Sequence, residues 1–209
     1  MKLWLDASNP SSYPGSGTTW YDLSGNNNNG TMNNGVVPLS NAMQFDGVND
    51  YVITSQVLNI AKVTMSVWVN IPQAITAKGF SLGFQNGVNG TATDKYFYID
   101  SNMKPYFYVF DGNPKTTSIP ESPISANTWF NAVCIADGIK AKLYINNIEV
   151  GSISAAGTYT GYNVPNILIG GNSTAIGYMY QKLNDIFIYN RALTANEVLQ
   201  NYNATKSKY

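Results

Sequence analysis

From Met43 onward, short runs of β-branched and aromatic residues alternate with Gly, Asn, Pro and Asp punctuation. Chains with that rhythm build sandwiches or barrels, because each run is too short for a helix and each break supplies a turn. The runs predict strands at 43–46, 50–54, 63–70, 79–85, 95–100, 105–110, 129–136, 140–145, 148–153, 166–169 and 178–190. Asn146-Asn147 joins two of them with the left-handed-tolerant residues of a two-residue hairpin, and Asp137-Gly138 is expected to do the same one hairpin earlier. Before Met43 the chain is rich in turn formers. Only brief strands fit there, near Leu3–Leu5 and Trp20–Leu23, and the Asn-rich stretch 26–34 reads as a long surface loop. A helix is expected from Thr194 to about Asn203. Thr194 followed by Glu197 makes a capping box, and Val198, Leu199 and Tyr202 form a short apolar face. The 209 residues suit one large all-β domain spanning 1–209, with no repeat, linker or boundary in view.

Charged residues make up only 11% of the chain against roughly 25% in ordinary soluble proteins. Lys+Arg and Asp+Glu are both 12, which leaves no basic excess for phosphates, so nucleic acid and anionic membrane are poor partners. No apolar run approaches the ~18 residues of a membrane-spanning helix. Cys134, the single cysteine, lies in the apolar run 131–136 and reads as a buried hydrophobe. No internal disulfide can form, so packing must hold the fold, in keeping with assembly in a reducing cytoplasm.

The chemistry for catalysis is hard to assemble. There is no histidine, which removes the usual general base and a common metal ligand. Glycoside hydrolysis needs two carboxylates about 5–9 Å apart. Glu121, Glu149 and Glu197 are the only glutamates, and none has an acidic neighbour two positions away along a strand. Asp94, Asp100 and Asp111 border one hairpin and read first as turn residues.

That hairpin carries the most suggestive pattern. In Lys95-Tyr-Phe-Tyr-Ile-Asp100, Tyr96 and Tyr98 share one face and Phe97 and Ile99 the other; in Pro105-Tyr-Phe-Tyr-Val-Phe110, Tyr106 and Tyr108 lie opposite Phe107 and Val109. A three-residue loop at Ser101-Asn-Met103 sets Tyr98 against Tyr106 and Tyr96 against Tyr108. A one-residue slip would mix the faces. The expectation is an outward tyrosine ladder with Asp94, Asp100 and Asp111 at its ends, suited to stacking sugar rings and accepting from their hydroxyls. Cross-strand packing under a covering loop or subunit is the plainer use of the same residues. Trp20, Trp68 and Trp129 read as core or core-edge anchors, and Arg191 as a clamp on the helix turn.

Four segments resemble the laminin-G-like and pentraxin-like branch of the concanavalin A-like lectin/glucanase superfamily: Met43-Gln-Phe-Asp-Gly-Val-Asn-Asp-Tyr-Val52, Val63-Thr-Met-Ser-Val-Trp-Val69, Thr128-Trp-Phe-Asn-Ala-Val133 with Lys142-Leu-Tyr-Ile-Asn146, and Leu183-Asn-Asp-Ile-Phe-Ile-Tyr-Asn-Arg-Ala-Leu193. The resemblance implies an all-β, two-sheet antiparallel jelly-roll sandwich with one short C-terminal helix. It also points to a calcium position near Asp6, the Asp46-Gly47 pair and residues 184–185. There the family's aspartate is Asn184, with Asp185 next to it, so no cofactor is expected and folding should not depend on calcium; the alternative is a calcium held at lower affinity through the Asn184 carbonyl oxygen. The opening Leu5–Gly25 segment and Glu197–Lys206 further resemble the version found in virion proteins of tailed bacteriophages. This implies a non-catalytic module on the virion surface, assembled in the bacterial cytoplasm and present as a homo-oligomer or repeated copy. Its partner would be a bacterial surface glycan or a neighbouring virion protein. The rival expectation is a glycan depolymerase on the same scaffold.

Overall fold

The computed structural model describes residues 1–54, 62–85, 93–110, 114–116, 123–154, 166–171 and 176–209. In chain order the strands are β1 (Leu3–Leu5), β2 (Thr19–Trp20), β3 (Gly30–Asn33), β4 (Val37–Pro38), β5 (Met43–Asp46), β6 (Tyr51–Thr54), β7 (Val63–Asn70) and β8 (Gly79–Gln85). They continue with β9 (Thr93–Ile99), β10 (Pro105–Phe110), β11 (Pro114–Thr116), β12 (Trp129–Ala136), β13 (Lys140–Ile145), β14 (Ile148–Ser154), β15 (Asn166–Ile169) and β16 (Tyr180–Tyr189). Helix α1 (Ala195–Thr205) and a 3-10 turn (Lys206–Lys208) follow.

Two antiparallel sheets form a jelly-roll sandwich. The first runs β14-β13-β12-β7-β16-β5-β4, with β1 also on β16; the second runs β11-β10-β9-β8-β15-β6-β3-β2. Strand β16 pairs with β5 through Tyr180–Leu183 and with β1 through Ile186–Ile188, so β1 and β5 lie end to end along one edge of it. Alternation puts one apolar set from each sheet into a shared core that includes Leu5, Phe45, Met65, Leu82, Phe97, Phe107, Cys134 and Ile186. Trp20 is fully buried there, and Trp68 is buried on the opposite side of the first sheet, beneath the helix.

The turns explain the registers. Asn146 and Asn147 both have positive φ, as a two-residue hairpin with the right twist demands. In the preceding hairpin the centre shifts by one from expectation, to Gly138-Ile139, because Asp137 pairs with Lys140 and its carboxylate accepts from the amides of Ile139 and Lys140. At Gly170, φ is +67° and a Cβ would run into the Phe45 ring, so glycine is required twice over.

The Asn-rich stretch 26–34 departs from its reading as a surface loop. Residues 30–33 form β3 against β6, with Met32 buried, and Asn28 is sealed inward with its amide donating to the Lys2 carbonyl at 2.7 Å. One apolar side chain among polar neighbours is enough when a neighbouring strand offers a free edge.

The capping box at α1 is present. Thr194 accepts from the Glu197 amide, Glu197 accepts from the Thr194 amide at 2.8 Å, and Arg191 clamps the same carboxylate at 2.7 and 2.9 Å. Trp68 donates its indole N–H to Thr205 at 2.9 Å, which fixes the helix on the first sheet.

Candidate functional site

The tyrosine hairpin forms in the register that alternation dictates. Tyr98 pairs with Tyr106, Phe97 with Phe107 and Tyr96 with Tyr108. Its loop is Ser101-Asn102-Met103, closed by the Asp100 amide on the Lys104 carbonyl at 3.0 Å, with Met103 at φ +60°. Phe97, Ile99, Phe107 and Val109 enter the inter-sheet core, leaving the tyrosines on the outer face of the second sheet. The rings stack in cross-strand pairs: Tyr98 on Tyr106 at 4.8 Å and 8°, and Tyr96 on Tyr108 at 4.5 Å and 19°.

The face is wider than the hairpin, and it is partly closed. Phe80 stacks on Tyr96 at 5.7 Å, and Leu168, Ile176, Tyr51 and Ile53 extend the cluster across β8, β15 and β6. Gly83 allows this approach, since a Cβ there would strike Tyr96. Tyr96 and Tyr98 are consequently buried, at 5% and 7% exposure, while Tyr106, Tyr108 and Tyr51 remain half-exposed. The expected row of four outward rings is therefore unequally exposed, with Tyr96 and Tyr98 on β9 buried between their neighbours on β8 and β10, and Tyr106 and Tyr108 on β10 as the accessible pair. The Lys78 ammonium sits 5.9 Å from the Tyr98 ring.

Asp100 stands at one end of this face. Its Oδ2 accepts from the Tyr106 hydroxyl at 3.2 Å and its Oδ1 from the amides of Asn102 and Lys104, so it braces both the turn and the ring. Burial, then the neighbouring Tyr106 and Asp100, pushes the Tyr98 phenol up to about 12, and burial raises Tyr96 further. Both buried phenols are thus neutral hydroxyls at physiological pH, able to donate as well as accept. Asp94 belongs to β9, but its side chain, like the whole of Asp111, lies outside the described residues.

Sequence reasoning missed Tyr51, Phe80 and Lys78. The period-2 pattern of β6, with Tyr51 and Ile53 out and Val52 in, carried the signal for the first. Tyr178 was also overlooked; burial and then the nearby Tyr51 raise its phenol. A cleft of about 310 Å³ lined by Asp46, Gly47, Tyr178 and Tyr180 opens at this side.

The family model described as the concanavalin A-like lectin/glucanases superfamily (Laminin_G_3) matches residues 46–199. The chain belongs to this superfamily. Among solved structures, the binding domain of botulinum neurotoxin serotype D is similar with a TM-score of 0.74 and 16% identity, covering 97% of this chain and 51% of that one. The receptor binding domain of the botulinum neurotoxin mosaic serotype C/D gives 0.74 and 16%, covering 98% and 50%. Trypanosoma rangeli sialidase bound to the inhibitor DANA gives 0.71 and 16%, covering 96% and 32%. The chain therefore spans about half or a third of these relatives, and at such identity they share its fold. No curated protein matches it in sequence.

Of the residues expected near a calcium position, Asp6 and residues 184–185 come together and the Asp46-Gly47 pair does not. A bulge in β16 between Asn184 and Phe187, with Asp185 at φ +43°, turns Asp185 toward Asp6. Both carboxylates are buried, and between them lies the Lys208 ammonium, 2.9 Å from Asp6 Oδ2 and 3.0 Å from Asp185. Asp6 Oδ1 accepts from the Ser8 amide and hydroxyl, and Asn184 Oδ1 from the Ala7 amide at 2.6 Å. Tyr209 donates to Asp185 Oδ2 at 3.1 Å. Calcium takes six to eight oxygens, a demand this set does not meet with its oxygens engaged and an ammonium in the middle. Among the described residues no group of three or more His, Cys, Asp or Glu could hold a metal.

Proposed function

We propose that the chain is a non-catalytic recognition module whose working surface is the outer tyrosine face of the second sheet, and that it binds a neutral glycan. The observation that carries this reading is the pair of half-exposed rings, Tyr106 and Tyr108, each stacked on a buried tyrosine of β9, with the Asp100 carboxylate at the Tyr106 hydroxyl. Aromatic rings locked by packing present a flat apolar surface at little entropic cost, and adjacent hydroxyls and a carboxylate fix the orientation of a polar ring laid on it. An acidic sugar is disfavoured. The ammonium on this face, Lys78, sits over the buried Tyr98 ring at 5.9 Å, whereas at the accessible Tyr106 hydroxyl stands the Asp100 carboxylate, which repels an anion. That the solved relatives include a sialidase captured with sialic acid and a toxin's receptor binding domain supports recognition as a use of this scaffold.

The absence of chemistry is part of the proposal. Asp46 and Asp50, neighbouring carboxylates, are tied to the amides of their own turn, and Asp50 is sealed from solvent. We place the module on the surface of a tailed-phage virion, on the strength of its opening and closing segments, with a bacterial surface glycan as first partner and a neighbouring virion protein as second. Screening against neutral and acidic bacterial polysaccharides tests the reading, run in parallel with an assay for reducing ends. Binding of neutral chains without shortening them is expected. Shortened chains would establish a depolymerase instead, and indifference to all glycans with capture by a purified virion protein would move the surface to docking.

A further inference from the structure

The Asp6–Asp185 cluster does something that neither the tyrosine face nor the superfamily match explains. Asp6 follows β1, near the start of the chain, and Asp185 sits on the β16 bulge. Two carboxylates brought together away from water repel each other and lose hydration, so either one of them keeps its proton or a cation sits between them. The cation here is Lys208, whose ammonium meets Asp6 Oδ2 and both oxygens of Asp185, three acceptors for its three N–H donors. Lys208 is carried there by the 3-10 turn that continues α1. The next residue, Tyr209, completes the arrangement: its hydroxyl donates to Asp185, and its ring stacks on Trp68 at 4.3 Å and lies 4.7 Å from Trp129.

We propose that the Lys208 ammonium is a built-in cation that takes the place of a divalent metal ion at the junction of β1, β16 and α1, making the fold independent of calcium and locking the 206–209 segment onto the first sheet. The two carboxylates would balance the charge of one divalent ion, yet most of the remaining oxygens have been given to backbone amides, which suits a tethered monovalent cation with a fixed approach. The cluster is also reachable. A cavity of about 260 Å³ lined by Trp4, Phe187, Asn201, Ala204 and Lys208 opens on Asp185, so a solvent cation has a path to the carboxylates once the ammonium is gone.

The test compares the wild-type chain with Lys208→Met, which keeps most of the length of the side chain and removes its charge. Wild type should melt at the same temperature in chelator and in millimolar calcium. Lys208→Met should melt several degrees lower in chelator and recover in calcium, and adding Asp185→Asn should abolish the recovery. A wild-type melting temperature that drops on chelation, or a Lys208→Met chain as stable as wild type in chelator or deaf to calcium, overturns the proposal. Equilibrium dialysis of the wild-type chain against calcium stands apart from any folding defect of the variants. No ion held at this cluster is expected, and an ion bound by wild type and lost on Asp185→Asn refutes it.

Discussion

Replacing Tyr106 by Ser separates recognition from packing on the tyrosine face. The side chain is half-exposed, so little apolar burial is lost. What goes is the parallel stack on Tyr98 at 4.8 Å and the hydroxyl bond to Asp100 at 3.2 Å. An aromatic pair contributes ~0.5–1.5 kcal/mol beyond burial, and a hydrogen bond ~0.5–1.5 kcal/mol net, so the variant should lose about 2 kcal/mol. For a chain of this length that is roughly 4–8 °C in melting temperature. Asp100 still holds its turn through the Asn102 and Lys104 amides, so the hairpin survives. Tyr96→Ser is the contrast, because that ring is buried among Phe80, Tyr98 and Tyr108 and should cost ~3–5 kcal/mol, as large aromatic truncations do. Differential scanning calorimetry gives the stabilities, and titration with the glycan found in the screen gives affinity. Tyr106→Ser should weaken binding at least tenfold, about 1.4 kcal/mol, while remaining folded. Unchanged affinity in a chain that melts as calculated would falsify the assignment of this face to recognition. A loss of stability as large as that of Tyr96→Ser would show that Tyr106 belongs to the buried packing of the face.

Tyr98, pushed up to about 12 by burial and then by Tyr106 and Asp100, holds its proton more tightly folded than unfolded; its contribution is intact below pH 10 and is lost as pH rises from there through about 12, so ultraviolet titration should show late-ionising tyrosine coincident with alkaline unfolding. Thr194→Ala should cost ~1 kcal/mol in chemical denaturation by removing one side of the helix cap. Glu197, drawn down to about 2 first by Arg191 and then by the Thr194 amide, should support α1 above its ordinary 4.5 and lose that support as pH falls through about 2, visible as helix loss by circular dichroism. Gly170→Ala combines a left-handed backbone with a collision against Phe45 and should destabilise by about 2 kcal/mol or more, read from the urea midpoint; a neutral effect would contradict the packing described at that turn.

How far the fold was legible depends on whether a segment's information is local. Residues 43–46, 63–70, 105–110, 129–136, 140–145 and 166–169 are strands at the expected bounds, because each combines an apolar or alternating run with a residue that stops it. The helix cap was equally local. Strand β3 was not, since Gly30-Thr-Met-Asn33 has a single apolar residue and owes its conformation to the edge that β6 presents. Lys95 faces the core side of β9 with Phe97 and is fully buried, a placement its charge argued against; alternation overrode it, as Tyr96, Phe97 and Tyr98 fixed the phase of the strand.

The same distinction governs the two clusters of polar side chains. The tyrosine pairing was readable because one short loop determines it, whereas the burial of Tyr96 and Tyr98 depends on Phe80, Leu168 and Ile176, from segments that no local pattern links to the hairpin. The meeting of Asp6 with residues 184–185 followed from the family resemblance, but the partner that neutralises them is 202 positions from Asp6 in sequence. Lys208 looked like one more basic residue beyond a helix, where a solvated cation is the ordinary outcome. What changes its meaning is the β16 bulge, which breaks the alternation so that Asn184, Asp185 and Ile186 are all buried in succession. A strand that buries an aspartate out of phase must leave it protonated or find a cation for it. Of the two lysines in the 3-10 turn, Lys206 lies over the Tyr202 ring at 5.6 Å, and Lys208 is the one that the turn delivers to the carboxylates. An Asn-Asp pair buried between Leu183 and Ile186 is in this sense a demand for positive charge, and the distance along the chain to the residue that meets it is set by the fold and not by any local pattern.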